Sequence, residues 1–403
     1  MTAVPDKIFD TIIVGAGAAG LCLGYLLGRS GLKVLVLEAQ GRAGRKLLLS
    51  GGGKCNVTNL SVSADNYVGA NPEFRQTVLR RLAPTQVIAF LNEHKIAWEE
   101  RDYGQVFLKQ GADRLRDLLL CLAEKYGTTI ALNKPVLGVG RENHLLGVST
   151  SVNRYRTRSL VLSTGSPAWP ASGSNLSGYL LAEMLGHSII PPKPALTPLP
   201  MPRGWPLQGL AGINLPVRIF LTEGLRSHKE YTLPLLITHQ GISGPAALQI
   251  SLQLEGGEEI GIDWLPTHHC EALFNQTGAG KRLLSNLLSA YLPARLVAVL
   301  IPDEIAGRKA AELSRAQRDE VARRIHDYRL TPSSPDFSRA EACRGGVPAG
   351  EINPFSMESL FCKRLFFAGE IVDVCGELGG YNLHWAWASA VVAANGVVER
   401  LEA

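Results

Sequence analysis

The chain has 403 residues, enough for two or three domains and a full core without disulfide or metal staples. Lysine and arginine (41) exceed aspartate and glutamate (36) by only five, so no nucleic-acid partner is expected from charge. A hydrophobic content of 46% with 42 glycines excludes a disordered chain and fits a globular, turn-rich one.

Residues 8–14, Ile-Phe-Asp-Thr-Ile-Ile-Val, read as a buried strand, residues 18–29 as a helix, and residues 32–37 as a second buried strand. Continuous apolar runs with a helix between them predict a parallel sheet covered on both faces. Further strands are expected at 159–163 and 365–368. Helices are expected at 84–94, 112–126, 179–185 and 384–398. From about residue 190 the chain becomes proline-rich, with short β-like runs at 217–222, 231–238 and 259–262. Residues 281–329 are helix-like and rich in Leu, Ala and Arg. The βα style returns after residue 335. The expected architecture is therefore one α/β domain interrupted by an insertion. A first part (1–190) and a C-terminal return (336–403) flank residues 191–335. That insertion divides into a β-rich part, 191–265, and a helical part, 266–335.

Gly15-Ala16-Gly17-Ala18-Ala19-Gly20 is a G-x-G-x-x-G loop between a strand and a helix, and Glu38 closes the next strand, followed by Ala39. Gly15 permits the turn, Gly17 admits a pyrophosphate close to backbone, and Gly20 lets helix and strand pack. The helix N-terminus offers free N–H groups and positive potential to phosphate. A carboxylate at the strand end suits a ribose and opposes a 2′-phosphate. This loop alone does not separate FAD from NAD. Two later segments favour FAD. Gly369-Glu370, with Asp373 and then Gly380-Tyr381-Asn382-Leu383 opening a helix, looks like a second ligand-facing helix N-terminus. Thr164-Gly165 follows an apolar strand, as in the turns common in flavoproteins.

Ser50-Gly51-Gly52-Gly53-Lys54-Cys55-Asn56 is too rich in glycine for an ordinary connection. Its backbone N–H groups suit a flavin ring or ribityl chain, with Gly44, Arg45 and Lys46 near the phosphates. A ribityl acceptor is expected from Glu370 or Asp373. Val136 completes the expected cofactor shell. No triad or carboxylate pair stands out; His239, Cys55 and His384 are the weak catalytic candidates. The insertion, around His239 to Pro245, is expected to cover the flavin.

The seven cysteines include no C-x-x-C pair, so redox dithiols, zinc clusters and a disulfide framework are not expected, and the default compartment is the cytoplasm. No apolar run reaches the ~18 residues of a membrane span. A leader peptide is not expected either, since Asp10 and several glycines break the first apolar stretch. His268-His269-Cys270 lacks a second cluster, so no metal is expected.

The chain resembles the BaiN-like, or aminoacetone-oxidase-like, bacterial FAD-binding oxidoreductases (YhiN-type flavoproteins). The resemblance rests on four stretches: 44–59, from Gly44-Arg45-Lys46 to Asn59; 238–246, Thr-His-Gln-Gly-Ile-Ser-Gly-Pro-Ala; Gly345-Gly346-Val347; and 368–387, from Ala368-Gly369-Glu370 to Trp387. Lys54 stands where the family usually has Arg, and His384 where it usually has Gln. The resemblance implies a FAD-binding Rossmann-like domain of the two-dinucleotide-binding-flavoprotein type, interrupted by an insertion with a β-barrel-like part and a helical part, and a FAD-dependent oxidoreductase transferring hydride at flavin N5 to or from a small molecule. NADH or NADPH would serve as a transient donor, or O₂ as acceptor. The alternatives are a FAD-dependent tRNA-modifying flavoprotein and a non-catalytic FAD-binding protein.

Overall fold

A computed structural model of the chain describes residues 8–222 and 229–402. They fall into two compact units: one built from residues up to Pro194 and from Ala340 onward, the other from Ala195–Arg339. The chain leaves the first unit four residues later, and returns four residues later, than the proline-rich composition indicates.

The first unit is organised by a seven-stranded sheet. Thr129–Ala131, Val34–Leu37, Ile8–Val14 and Arg154–Leu162 run parallel in that order. Val34–Leu37 is buried along its whole length, which explains its uninterrupted Val-Leu pattern. Arg154–Leu162 has a divided far edge. Its first half pairs antiparallel with Leu145–Thr150, and its last three residues pair in parallel with Leu365–Phe367. The C-terminal strand is thus returned to the middle of the sheet. Helices Ala18–Arg29 and Tyr381–Glu402 cover this sheet, and Ile12, Leu21, Leu162, Phe366 and Trp385 share one core.

Short irregular elements fill the rest of the unit. The hairpin Val136–Glu142/Leu145–Thr150 and the small sheet of Asn56–Asn59, Gln105–Leu108 and Trp98–Arg101 were not apparent from periodicity. Their strands are short and half exposed, so apolar residues do not alternate cleanly. The C-terminal helix starts three residues earlier than its apolar pattern suggests, because Gly379 and Gly380 take positive φ values of 128° and 97° and stop only at Tyr381.

The second unit holds an antiparallel sheet of six strands: Leu199–Pro200, Gly241–Ser243, Tyr231–Thr238, Asn214–Leu221, Ile260–Asp263 and Tyr328–Leu330. The expectation of a β-barrel-like part is met only loosely. The edge strands form no ladder with each other; just past the last one, the Ser333 N–H donates to the Pro200 carbonyl at 2.8 Å. The division into a β part and a helical part does not hold either. Tyr328–Leu330 comes after the helices yet closes the sheet, and Val217, Ile262, Leu287, Leu296 and Val321 share one core.

Candidate functional site

The G-x-G-x-x-G loop is built as its three glycines require. Gly15 has φ 98°, and a Cβ there would lie 2.8 Å from the Ser163 carbonyl oxygen. A Cβ on Gly20 would lie 1.9 Å from the Gly15 carbonyl oxygen, so this glycine is demanded by packing alone. Gly17 is different. A Cβ there would meet nothing within 4 Å, so its absence serves no protein contact. It leaves open the space in front of the first turn of Ala18–Arg29. That turn carries no side-chain cap and no acidic residue. Among the described residues, the N–H groups of Gly17, Ala18, Ala19 and Gly20 have no acceptor. This is the arrangement an anionic pyrophosphate fits.

Glu38 is half-buried and fixed from two sides. Its carboxylate accepts from the Ala16 N–H at 2.7 Å and from the Gln40 N–H at 2.8 Å. The strand-end acid therefore braces the glycine loop, with lone pairs left for a ribose hydroxyl. Ala39 follows, exposed at the strand end. Arg45 and Lys46 are both engaged within the protein. Arg45 donates to the Gln40 side-chain oxygen and the Ala171 carbonyl, and Lys46 Nζ pairs with Glu370 at 2.6 Å. Gly44, at φ 70°, makes room for the Arg116 side chain.

Gly51, Gly52 and Gly53 all take left-handed conformations, with φ of 56°, 65° and 85°, and Cys55 follows at 52°. A Cβ on Gly52 would meet nothing within 4 Å. The loop is thus a run of backbone with one face bare, next to the exposed Lys54 and Ser50 hydroxyl stem. Asn56 starts the following strand, its amide 3.0 Å from the Gln105 side chain.

The C-terminal segment is locked onto this loop. Asn59, almost fully buried, donates to the Gly379 carbonyl at 2.9 Å. A Cβ on Gly380 would lie 2.5 Å from the Thr58 carbonyl oxygen. Asn382 grips Gly376 with both ends of its amide, at 2.8 and 2.9 Å. The N–H groups of Tyr381, Asn382 and Leu383 have no acceptor among the described residues. Gly369 is held by the Ser389 hydroxyl and the Trp385 indole, and a Cβ there would lie 3.1 Å from Ala19 Cβ. The Gly369-Glu370 turn therefore abuts the first turn of Ala18–Arg29. Thr164-Gly165 ends the neighbouring strand; the buried Thr164 hydroxyl has no partner and presses on Gly178.

Other expected residues have structural work. Asp373 accepts from the Gly345 N–H at 2.8 Å, and burial raises its pKa. Close packing accounts for the Gly345-Gly346 pair: a Cβ on Gly345 would lie 2.5 Å from the Pro191 carbonyl oxygen and one on Gly346 2.5 Å from that of Ile371, to which the Val347 N–H donates. Val136 is buried at the head of its hairpin strand.

The three catalytic candidates fare differently. His384 is wholly buried. Its Nε2 meets the Leu82 carbonyl at 3.0 Å and its Nδ1 meets the Thr58 hydroxyl at 2.7 Å. A carbonyl only accepts, so Nε2 carries the proton and Nδ1 accepts from Thr58. Burial depresses its pKa to about 4. His384 is a neutral packing residue. Cys55 is also fully buried, and burial pushes its thiol up to about 12 against the Ser50 hydrogen bond. A thiol so protonated is a poor nucleophile. His239 is exposed in the second unit, at the turn closed by Thr238 and Gly241. It borders a shallow concavity of about 300 Å³ with Arg203, Trp205 and Gln208. Gly241 is dictated there by packing, since a Cβ would lie 2.2 Å from the Leu199 carbonyl oxygen.

A parallel sheet, a glycine loop open at Gly17 and a returning C-terminal helix N-terminus define a dinucleotide-binding flavoprotein of the FAD-dependent oxidoreductase class. Residues 9–396 match the HI0933-like protein Rossmann domain family, and the chain belongs to that family. It is 36% identical to the ribosomal RNA dihydrouridine synthase of Haemophilus influenzae over 394 residues, covering 96% of this chain and 97% of that protein. It is 29% identical to the 3-dehydro-bile acid delta(4,6)-reductase of Clostridium scindens, covering 96% and 98%. Among solved structures, the 3-ketosteroid-Δ4-(5α)-dehydrogenase of Rhodococcus jostii RHA1 has a similar fold, with a TM-score of 0.51 over 98% of each chain at 15% identity. No helix among the described residues is long and apolar enough to cross a membrane.

Proposed function

We propose that this protein is a FAD-dependent reductase of carbon–carbon double bonds conjugated to a carbonyl, and that its substrate is uridine within ribosomal RNA. One observation carries the reading. Two full-length relatives with unlike substrates are named for the same bond change. Making dihydrouridine saturates the C5=C6 bond conjugated to the uracil C4 carbonyl. A delta(4,6)-reductase acting on a 3-keto steroid saturates bonds conjugated to the C3 carbonyl. The higher identity, 36% against 29%, favours the nucleoside.

When bound, FAD would supply hydride chemistry with NADH or NADPH as the reductant, so that the carbon β to the carbonyl gains a hydride and the α carbon a proton from water. This chain's residues bind and orient. The N–H groups of Gly17 to Gly20 receive the pyrophosphate, and Glu38 takes the ribose. The Ser50–Asn56 loop, with its bare backbone at Gly52, would hold the ring and ribityl chain. The N–H groups of Tyr381 to Leu383, with their helix dipole, favour negative charge at the pyrimidine end of the ring. The 195–339 unit supplies substrate recognition.

The test is incubation of the purified protein with NADH or NADPH and protein-free ribosomal RNA, followed by nucleoside mass spectrometry. Uridine converted to a nucleoside heavier by two hydrogens, and lost in Gly17→Val, supports the reading. No conversion in RNA, with saturation of a 4,6-dien-3-one steroid instead, would move the substrate to small enones.

A further inference from the structure

We infer that a four-cation patch in the second unit, formed by Lys281, Arg282, Arg308 and Lys309, docks the phosphate backbone of an RNA substrate; this rests on the reading of the function above. The net charge of +5 hides this patch because it averages over the whole chain. The fold creates it from two dibasic pairs that are 26 or more positions apart in sequence. Leu283 and Lys309 form an antiparallel bridge. The Leu284 N–H donates to the Arg308 carbonyl at 2.9 Å, and the Ala310 N–H donates to the Arg282 carbonyl at 3.1 Å. Small residues permit this approach: a Cβ on Gly280 would lie only 3.1 Å from Ala311 Cβ. Arg318 adds a fifth cation at the rim, donating to the Ala310 carbonyl at 3.3 Å.

All four side chains are exposed. Among the described residues none forms an ion pair, although arginines nearby do: Arg323 and Arg324 pair with Glu320, and Arg329 with Asp327 and Glu259. Arg282 and Arg308 spend single N–H groups on the Asn286 carbonyl and the Gln317 amide. One carboxylate, Glu312, is close, and it caps the Lys309 backbone N–H. Like charges gathered on bridged segments repel one another, and among the described residues no carboxylate forms an ion pair with any of the four, Glu312 being turned to the Lys309 backbone N–H. A polyanion with regularly spaced charges does. The Gly278-Ala279-Gly280-Lys281-Arg282 stretch, which imitates part of a nucleotide-binding loop in sequence, thereby has a role as a scaffold for surface cations.

The experiment measures binding of the FAD-loaded full chain to protein-free ribosomal RNA across a salt series. The variant carries Lys281→Gln, Arg282→Gln, Arg308→Gln and Lys309→Gln. Its Kd is expected to rise roughly ten- to a hundredfold at low salt, and the slope of log affinity against log salt to become shallower by about 3. An Arg323→Gln, Arg324→Gln control removes two already paired charges and is expected to bind as wild type. Unaltered flavin absorbance and thermal midpoint establish that the quadruple variant is folded. Wild-type binding with an unchanged slope in that folded variant overturns the inference and leaves the patch to a protein partner. Absence of RNA binding by the wild type strikes the substrate reading itself.

Discussion

Lys46 and Glu370 lie 324 positions apart in sequence and 2.6 Å apart in space, and their ion pair ties the short helix Arg45–Leu49 to the turn after Leu365–Phe367. Their side chains are 32% and 17% exposed, between a surface pair of little worth and a buried one. Glu370 also accepts from the Cys343 N–H at 3.2 Å. Lys46→Met leaves a half-buried carboxylate uncompensated and is expected to cost about 1–2 kcal/mol in urea unfolding. FAD affinity should fall with it if the proposed dinucleotide site is right, since Glu370 follows the Gly369 turn that packs on Ala19. The exchange Lys46→Glu with Glu370→Lys should recover part of the loss. Additive losses in the double variant would show that the pair is not coupled.

Two glycines of one loop are expected to fail in different ways. Gly17→Val fills space that no protein atom occupies, so the protein should fold with the thermal midpoint of FAD-free wild type and purify colourless. Gly20→Ala drives a Cβ to within 1.9 Å of the Gly15 carbonyl oxygen, so stability should drop with or without FAD. Circular dichroism melting and visible absorbance of each variant separate the two. A yellow Gly17→Val protein would show that the open space is not the pyrophosphate site.

Glu38→Ala removes a carboxylate that holds two loop N–H groups and faces the expected ribose position. A hydrogen bond to a charged group is worth about 1.5–3 kcal/mol, so FAD should bind roughly ten- to a hundredfold more weakly. Titration of apo-protein measures this. Glu38→Gln should be intermediate, because its oxygen can accept one of the two bonds while its NH₂ faces the other donor.

His384 introduces an acid-sensitive term. Its folded pKa, about 4, lies below the ordinary value of 6.5. The unfolded chain therefore takes up a proton first as the pH falls. Stability is unaffected above about pH 6.5 and declines between 6.5 and 4, by roughly 3 kcal/mol in all. In His384→Gln the amide can still donate to Leu82 and accept from Thr58, so that term should vanish. Urea midpoints at pH 7 and pH 4.5 should differ less in the variant than in wild type. His187, whose pKa is also lowered by burial, keeps a residual slope of the same sign.

Alkylation should ignore Cys55. Its thiol is buried and held near pKa 12, whereas Cys121 is exposed. With iodoacetamide at neutral pH, peptide mapping should find Cys121 modified first and Cys55 intact until unfolding. Early labelling at Cys55 would restore it as a redox candidate.

The sequence alone determined the local geometry of the glycine loop and of the strand-end acid. Gly15, Gly17, Gly20 and Glu38 act within a single βαβ unit, where local spacing dictates geometry, so residue types at fixed offsets are sufficient. The second helix N-terminus was legible for the same reason, through Gly379-Gly380 before an apolar helical run. Tertiary structure decided what depends on long-range pairing. It turned Lys46 and Glu370 from separate cofactor candidates into each other's counter-charge. It made His384, a weak catalytic candidate in the sequence, a buried strut between Thr58 and Leu82. It joined the strand Tyr328–Leu330 to a sheet begun some 130 residues earlier, and set Lys281-Arg282 beside Arg308-Lys309. Such neighbours are set by burial and by β-pairing across long loops, whose closure leaves no periodic trace in the chain.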